Sequence, residues 1–147
     1  MTLTELRSEM KQAMIAKNAD RLSVIRMLIS AVSYSAMNLA KKDDEMTEDD
    51  IAQVVLKEVK KRKESIADYE KANDAERAQK EQSELSILQE FAPTMMSEDD
   101  VMRNVAEIIG DNKSVPLGQA IGMVMKEVKN KADSQVIQDA VKKYLGV

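Results

Sequence analysis

The sequence contains neither cysteine nor histidine among its 147 residues. The absence of cysteine excludes disulfides, thiolate metal ligands and thiol nucleophiles, and it suits a reducing compartment. The absence of histidine removes the side chain most often used as a general base near neutral pH, which is also the commonest metal ligand. We therefore predict that the chain binds no metal and no cofactor, and we identify no catalytic residue.

Aromatic residues and long apolar runs are scarce as well. Aromatics make up 3% of the chain, and the formal net charge of -4 argues against a protein that coats nucleic acid nonspecifically, because such binding needs a broad excess of Lys and Arg. The longest uncharged stretch, residues 27–40, is shorter than the roughly 20 apolar residues that span a bilayer. Charged residues between Glu5 and Lys11 interrupt any apolar run near the N-terminus, so we do not expect a secretory signal peptide. We expect a cytoplasmic protein with no membrane partner.

What the chain has is helical periodicity. Apolar residues recur at helical spacing nearly everywhere, and no segment alternates as a strand would, so we predict an all-α, multihelical fold. The first helix begins at Thr2, where Glu5 completes a capping box. The second is expected to be capped by Asp20, and its wide apolar stripe is typical of a helix at the centre of a bundle. That stripe consists of Leu22, Ile25, Leu28, Ile29 and Val32.

Two further helices complete a predicted N-terminal subdomain of four helices, residues 1–92. Thr47, with Asp50 three residues on, begins a long third helix. Asn73 and Asp74 supply a break and a cap before a fourth helix, which must end before Pro93.

The pattern of caps and helix breakers predicts a small C-terminal subdomain of three helices, residues 97–147. Ser97 caps the first of them, which is expected to bury Ile108 beside two valines and to stop at Gly110. Pro116 fits the first turn of the next helix, and Asn130 ends it before the last helix begins.

Two basic clusters are candidates for binding. The first, "KEVKKRKE" in the third helix, spreads its cations around more than a turn, so they cannot all face one partner, and a solvated face with pairs to nearby glutamates explains it. In the second, Lys126 and Lys129 share a face near a helix end, and Lys131 follows in the connection. Compensation of the helix dipole and binding of an anionic partner both account for this second cluster.

Gly118 and Gly122 lie one turn apart on the same face of the penultimate helix. Each glycine inside a helix costs about 1 kcal/mol relative to alanine, so something should compensate. Close approach of another backbone is the obvious compensation. That backbone belongs either to a neighbouring helix, which we favour, or to a docked RNA.

Four stretches carry a family resemblance that covers essentially the whole chain: "RLSVIRMLISAV", "LKEVKKRKESIADYEKA", "ELSILQEFAPTMMSEDDV" and "GQAIGMVMKEVKNKADSQVI". Together they resemble the GatB/YqeY family. The family pattern in the last stretch is roughly G-x-x-x-G-x-V-M-K-x-x-K-G-K-A-D/N. Asn130 occupies a position usually held by glycine, and asparagine also tolerates the left-handed conformation. The matching residues are Gly118, Gly122, Val124, Met125, Lys126, Lys129, Lys131, Ala132 and Asp133.

The resemblance implies a function as well as a fold. The family is similar to the C-terminal helical and tail domains of the B subunit of glutamyl/aspartyl-tRNA amidotransferase, and its label is carbon-nitrogen ligase activity with glutamine as amido-N-donor. We interpret the chain as a non-catalytic, tRNA-associated module. The alternative is a protein-interaction adaptor that uses the long third helix, and the sequence indicates no oligomeric state. The RNA-binding residues that the resemblance implies are Gly118, Gly122, Lys126, Lys129, Asn130 and Lys131.

Overall fold

The structure is a computed structural model that describes residues 1–128 and 131–147. These ranges contain seven α-helices and a short 3-10 turn, Asp43–Glu45, and strands are absent from them, so the all-α prediction is confirmed. In the same ranges no helix has the length and apolar character needed to cross a membrane. The helices are α1 (Leu3–Ile15), α2 (Ala19–Asn38), α3 (Glu48–Lys71), α4 (Ala75–Gln89), α5 (Glu98–Ile109), α6 (Leu117–Val128) and α7 (Ser134–Leu145).

The chain divides into two compact units, each with its own apolar core. Unit 1, Met1–Ala92, contains α1 to α4, and unit 2, Pro93–Val147, contains α5 to α7. In unit 1, α2 packs against α1, α3 and α4, as expected of a central helix. Of its predicted stripe, Ile25, Leu28 and Val32 are fully buried, and Leu22 and Ile29 are partly buried. In unit 2, Ile109 is buried and Ile108 is only partly buried, so the prediction that α5 buries Ile108 is wrong by one residue.

Capping boxes begin α1 and α3 as predicted. The Glu5 backbone N–H donates to the Thr2 hydroxyl at 3.2 Å, and the Thr2 backbone N–H donates to the Glu5 carboxylate at 2.7 Å. Thr47 and Asp50 make the same reciprocal pair at 3.1 and 3.0 Å. Both boxes satisfy backbone donors that the first helical turn leaves without partners.

The predicted cap of α2 is wrong. Asn18 caps this helix, and its Oδ1 accepts a hydrogen bond from the Arg21 backbone N–H at 3.1 Å. Because α2 therefore begins at Ala19, Asp20 lies inside the first turn, where its negative charge suits the positive end of the helix dipole.

Two arginines join helices within unit 1. Arg21 of α2 pairs with Glu9 of α1 and with Glu90 at the end of α4, and its guanidinium lies 5.1 Å from the centre of the Phe91 ring. The Glu90 and Glu9 carboxylates raise the pKa of Arg21. Arg62 of α3 binds two carboxylates of α4 in the same manner, those of Glu81 and Glu84. Each planar guanidinium thus holds carboxylates from a neighbouring helix.

We expect R21K to destabilise unit 1 by about 1–2 kcal/mol, because an ammonium group cannot reproduce the forked geometry or the stacking on Phe91. Chemical denaturation would measure this loss. The matched control is R77K, since Arg77 is 71% exposed and, among the described residues, its ion-pair partner is Asp74, the N-cap of the same helix. We expect R77K to change the free energy of unfolding by less than about 0.5 kcal/mol. Equal losses in the two variants would contradict the prediction.

The contact between Lys41 and Asp50 should make stability depend on pH. Lys41 Nζ lies 2.6 Å from Asp50 Oδ2, and this hydrogen bond, aided by the Thr47 backbone N–H, lowers the pKa of Asp50 below its ordinary value. The folded chain therefore binds that proton less tightly than the unfolded chain. The stabilisation is complete above the unfolded pKa of about 3.9 and is lost as the pH falls through the folded pKa.

We expect the melting temperature of K41M to lie below that of the wild type at pH 7, and the difference to shrink below about pH 4. Thermal melts monitored by circular dichroism from pH 7 to pH 2.5 would measure it. K42M removes a charge from the neighbouring, exposed lysine and is the control. A difference for K41M that is constant over this range would rule out Asp50 as its origin.

Candidate nucleic-acid interface on α6

One buried stripe sets the rotation of α6. Ala120 and Val124 are 0% exposed and Val128 is 2% exposed, and they pack with α5 and α7 in the core of unit 2. Leu117 and Ile121 are partly buried beside them and widen the stripe. Every residue on the opposite side of α6 is therefore directed to solvent.

Gly118 and Gly122 lie on that exposed side. A Cβ atom added at either glycine would meet no heavy atom within 4 Å in the part of the chain that the structure describes. The favoured expectation, that a neighbouring helix of the same unit compensates for these glycines, is therefore wrong. The physical reason is the register of the helix, which places both glycines opposite the apolar stripe.

Two larger side chains flank the glycines. At about 100° per residue, Met125 lies about 20° to one side of Gly118 and Lys126 about 80° to the other, with Gln119 just beyond the lysine. Met125 is 38% exposed, and Lys126 and Gln119 are exposed as well. Sequence reasoning did not name Gln119, although a helical projection of the buried stripe would have found it.

Lys131 follows α6, and its own backbone is hydrogen-bonded within unit 2. Its carbonyl accepts a hydrogen bond from the Met96 backbone N–H at 2.6 Å, while its side chain is exposed. The next residue, Ala132, is buried, and Asp133 caps α7 by accepting from the Gln135 backbone N–H at 2.8 Å. The predicted site residues Lys129 and Asn130 lie outside the described residues.

The charges of Lys126 and Lys131 are available to a partner. Among residues 1–128 and 131–147, no carboxylate lies within 4.0 Å of either ammonium group. Arg103 of α5 differs, because it lies 2.7 Å from Asp100. Lys126 in the last turn of α6 still compensates the helix dipole, and this role is compatible with binding an anion.

The basic cluster of α3 is partly occupied within unit 1. Lys61 Nζ lies 3.4 Å from Glu58, which is the expected pairing on a solvated face. Arg62 instead turns to α4 and is only 14% exposed, a contact that the sequence pattern did not predict. Lys57, Lys60 and Lys63 are exposed. A protein partner on α3 stays a prediction.

Comparison with known proteins gives a family match and several relatives. The family model described as Yqey-like protein matches residues 3–145, which confirms the YqeY-like part of the resemblance. Similar curated proteins include three fungal ones, each named "Altered inheritance of mitochondria protein 41, mitochondrial". The protein from Pyrenophora tritici-repentis is 26% identical over 153 residues, covering 99% of this chain and 82% of its own length. Those from Kluyveromyces lactis and Vanderwaltozyma polyspora are 29% and 30% identical, covering 83% and 87% of this chain and 68% and 67% of their own lengths.

These names correct one expectation. The three relatives are mitochondrial proteins by name, which contradicts the predicted cytoplasmic location. That prediction rested on the absence of cysteine and on the charged N-terminus. Neither feature distinguishes the cytoplasm from another reducing compartment.

We expect the double variant G118A/G122A to be more stable than the wild type. Each alanine removes the entropic penalty of glycine, about 1 kcal/mol at most, and its methyl group lies more than 4 Å from the heavy atoms of other described elements. Urea denaturation would measure the gain. The control G110A should destabilise, because Gly110 has φ +60° at the end of α5, where an L side chain is strained. A loss of stability in G118A/G122A would show that these glycines serve the fold.

Proposed function

The chain belongs to the family of Yqey-like proteins, and on that premise we propose that it is a non-catalytic helical module that binds tRNA. The proposed interface is the exposed face of α6 together with the connection that follows it. Gly118 and Gly122 admit the ribose-phosphate backbone closely, and Lys126 and Lys131 bind phosphates. By the family resemblance Lys129 and Asn130 complete this surface.

The observation that carries the proposal is the exposure of the two glycines. Both are unfavourable in a helix, and no described neighbour requires the absence of a Cβ atom. Since the described neighbours do not explain why residues 118 and 122 are glycine, we attribute both glycines to a partner that docks on the exposed face of α6. A smooth helix surface flanked by cations suits RNA, whose grooves are recognised largely by shape and by contacts to phosphate and the 2′-hydroxyl.

The electrostatics favour modest affinity. Lys126, Lys129 and Lys131 provide three cations, and each phosphate neutralised releases condensed counterions. Three contacts predict that the logarithm of the association constant falls with the logarithm of salt concentration with a slope of about -2 to -3. Binding to tRNA is thus expected to be strong only at low salt.

The proposed relation to the amidotransferase concerns binding rather than turnover. We assign this chain the part that contacts the tRNA body, as in the tail of the B subunit that the family resembles. The carbon-nitrogen ligase label then describes the larger enzyme complex, and we expect the isolated chain not to convert Glu-tRNA in the presence of glutamine and ATP.

We expect K126E/K131E to weaken binding to unfractionated tRNA at least about tenfold, because two attractive contacts with phosphate become repulsive. Filter-binding titrations at about 50 mM salt would measure the dissociation constant. K142E/K143E is the matched control, since it makes the same change of charge on exposed lysines of α7. Losses of equal size in both variants would indicate nonspecific attraction, and an unchanged dissociation constant in K126E/K131E would refute the interface.

A second variant distinguishes an effect on RNA binding from an effect on folding. G118A/G122A keeps every charge, so a weaker affinity for tRNA at undiminished stability would place the RNA backbone against the glycine face. Unchanged affinity in this variant would contradict that placement.

A further inference from the structure

The outward face of α2 carries two large side chains that are mostly exposed to solvent. Tyr34 is 68% exposed and Met37 is 76% exposed. Both lie opposite Ile25, Leu28 and Val32, which are fully buried. The exposed stripe on this face consists of Ser23, Arg26, Ser30, Tyr34 and Met37.

The charge on this stripe is a single cation. Arg26 is exposed, and no carboxylate of the described residues lies within 4.0 Å of it. From residue 21 to residue 38 the sequence contains no Asp or Glu, although acidic residues number 26 in the whole chain. One cation is too few for a nucleic acid, which is bound by clusters of Lys and Arg. Exposed apolar groups beside it are typical of a protein interface.

The side chains of the stripe complement one another across a two-fold axis at its centre. Its members are separated by three, four, four and three residues, so the pattern reads the same in both directions from Ser30. A second α2 laid antiparallel, with a two-fold axis at Ser30, therefore meets the same pattern. Arg26 then lies across from Tyr34 of the second copy, and Ser23 lies across from Met37.

We propose that the outward face of α2 is the surface through which two copies of this chain associate. A guanidinium over a phenol ring is a favourable cation–π pair, and the two-fold axis produces it twice. The two Arg26 residues do not oppose each other, because each lies about 6 Å along the axis from Ser30, which separates them by about 12 Å. The small Ser30 at the crossing point allows the two helices to approach closely.

Charge substitutions at positions 26 and 34 test the proposed contact between Arg26 and Tyr34 of the second copy. We expect the wild type to dimerise weakly, with a dissociation constant between about 10 μM and 1 mM, since the face is small. Y34K places an ammonium group across from Arg26 and should abolish dimerisation. R26E/Y34K places a carboxylate across from that ammonium group and should restore it. Within one chain positions 26 and 34 lie two helical turns apart, about 12 Å, so a restored contact must join two molecules.

Sedimentation equilibrium of the three proteins would measure the association constants, and circular dichroism would confirm that each is folded. Restoration of dimerisation by the double variant supports the proposal. A wild type that stays monomeric up to about 1 mM, a dimer that Y34K leaves intact, or a double variant that stays monomeric overturns it.

Disulfide trapping provides an independent measurement, because the chain has no cysteine of its own. With the helix axes about 9–10 Å apart and each helix about 2.3 Å in radius, the facing Cα atoms at Ser30 lie about 4–5 Å apart, within reach of a disulfide. The two Ser23 residues lie about 21 Å apart in the same arrangement. S30C should therefore form a covalent dimer on mild oxidation and S23C should not. Crosslinking of S23C as fast as S30C overturns the two-fold arrangement.

Discussion

Burial of the stripe Ala120, Val124 and Val128 fixes the rotation of α6, and the candidate interface depends on that single constraint. Gly118 and Gly122 each precede a buried residue of the stripe by two positions, which turns them about 200° away from it. The packing that builds the core of unit 2 therefore also presents the glycines to solvent. A change of register that exposed the stripe would bury the glycines, so the fold and the proposed function depend on the same apolar contacts.

Residues before and after α6 make contacts within unit 2. Before the helix, the Tyr144 hydroxyl donates to the Gly110 carbonyl at 2.5 Å, and Lys113 lies 5.0 Å from the centre of the Tyr144 ring. After the helix, the Lys131 carbonyl accepts from Met96. These contacts restrain Gly110, Lys113 and Lys131, and the buried stripe fixes α6 itself, so a ligand at the exposed face of α6 meets a helix whose orientation is set in advance. In unit 1, arginine–carboxylate contacts between helices supplement the apolar core.

The errors in the sequence interpretation have separate physical causes. Asn18 and Asp20 are both good N-caps, and only the backbone of the short connection after α1 decides between them. Ile108 and Ile109 are equally apolar, so their order in the core depends on how α5 rotates against α6 and α7. The prediction of the compartment rests on the absence of cysteine and on the charged N-terminus, which respond to redox conditions and secretion but not to the identity of an organelle.

The sequence by itself determined the helices and most of their boundaries, because the responsible interactions are local. Capping pairs such as Thr47 with Asp50 join residues three apart, and the apolar periodicity defines a buried face within each helix. Tertiary structure alone decided what surrounds each face. Arg62 selects Glu81 and Glu84 from among many carboxylates, and Gly118 and Gly122 are open rather than packed. Both outcomes depend on the placement of neighbouring helices, and residues far apart in the chain carry no local signal of that placement.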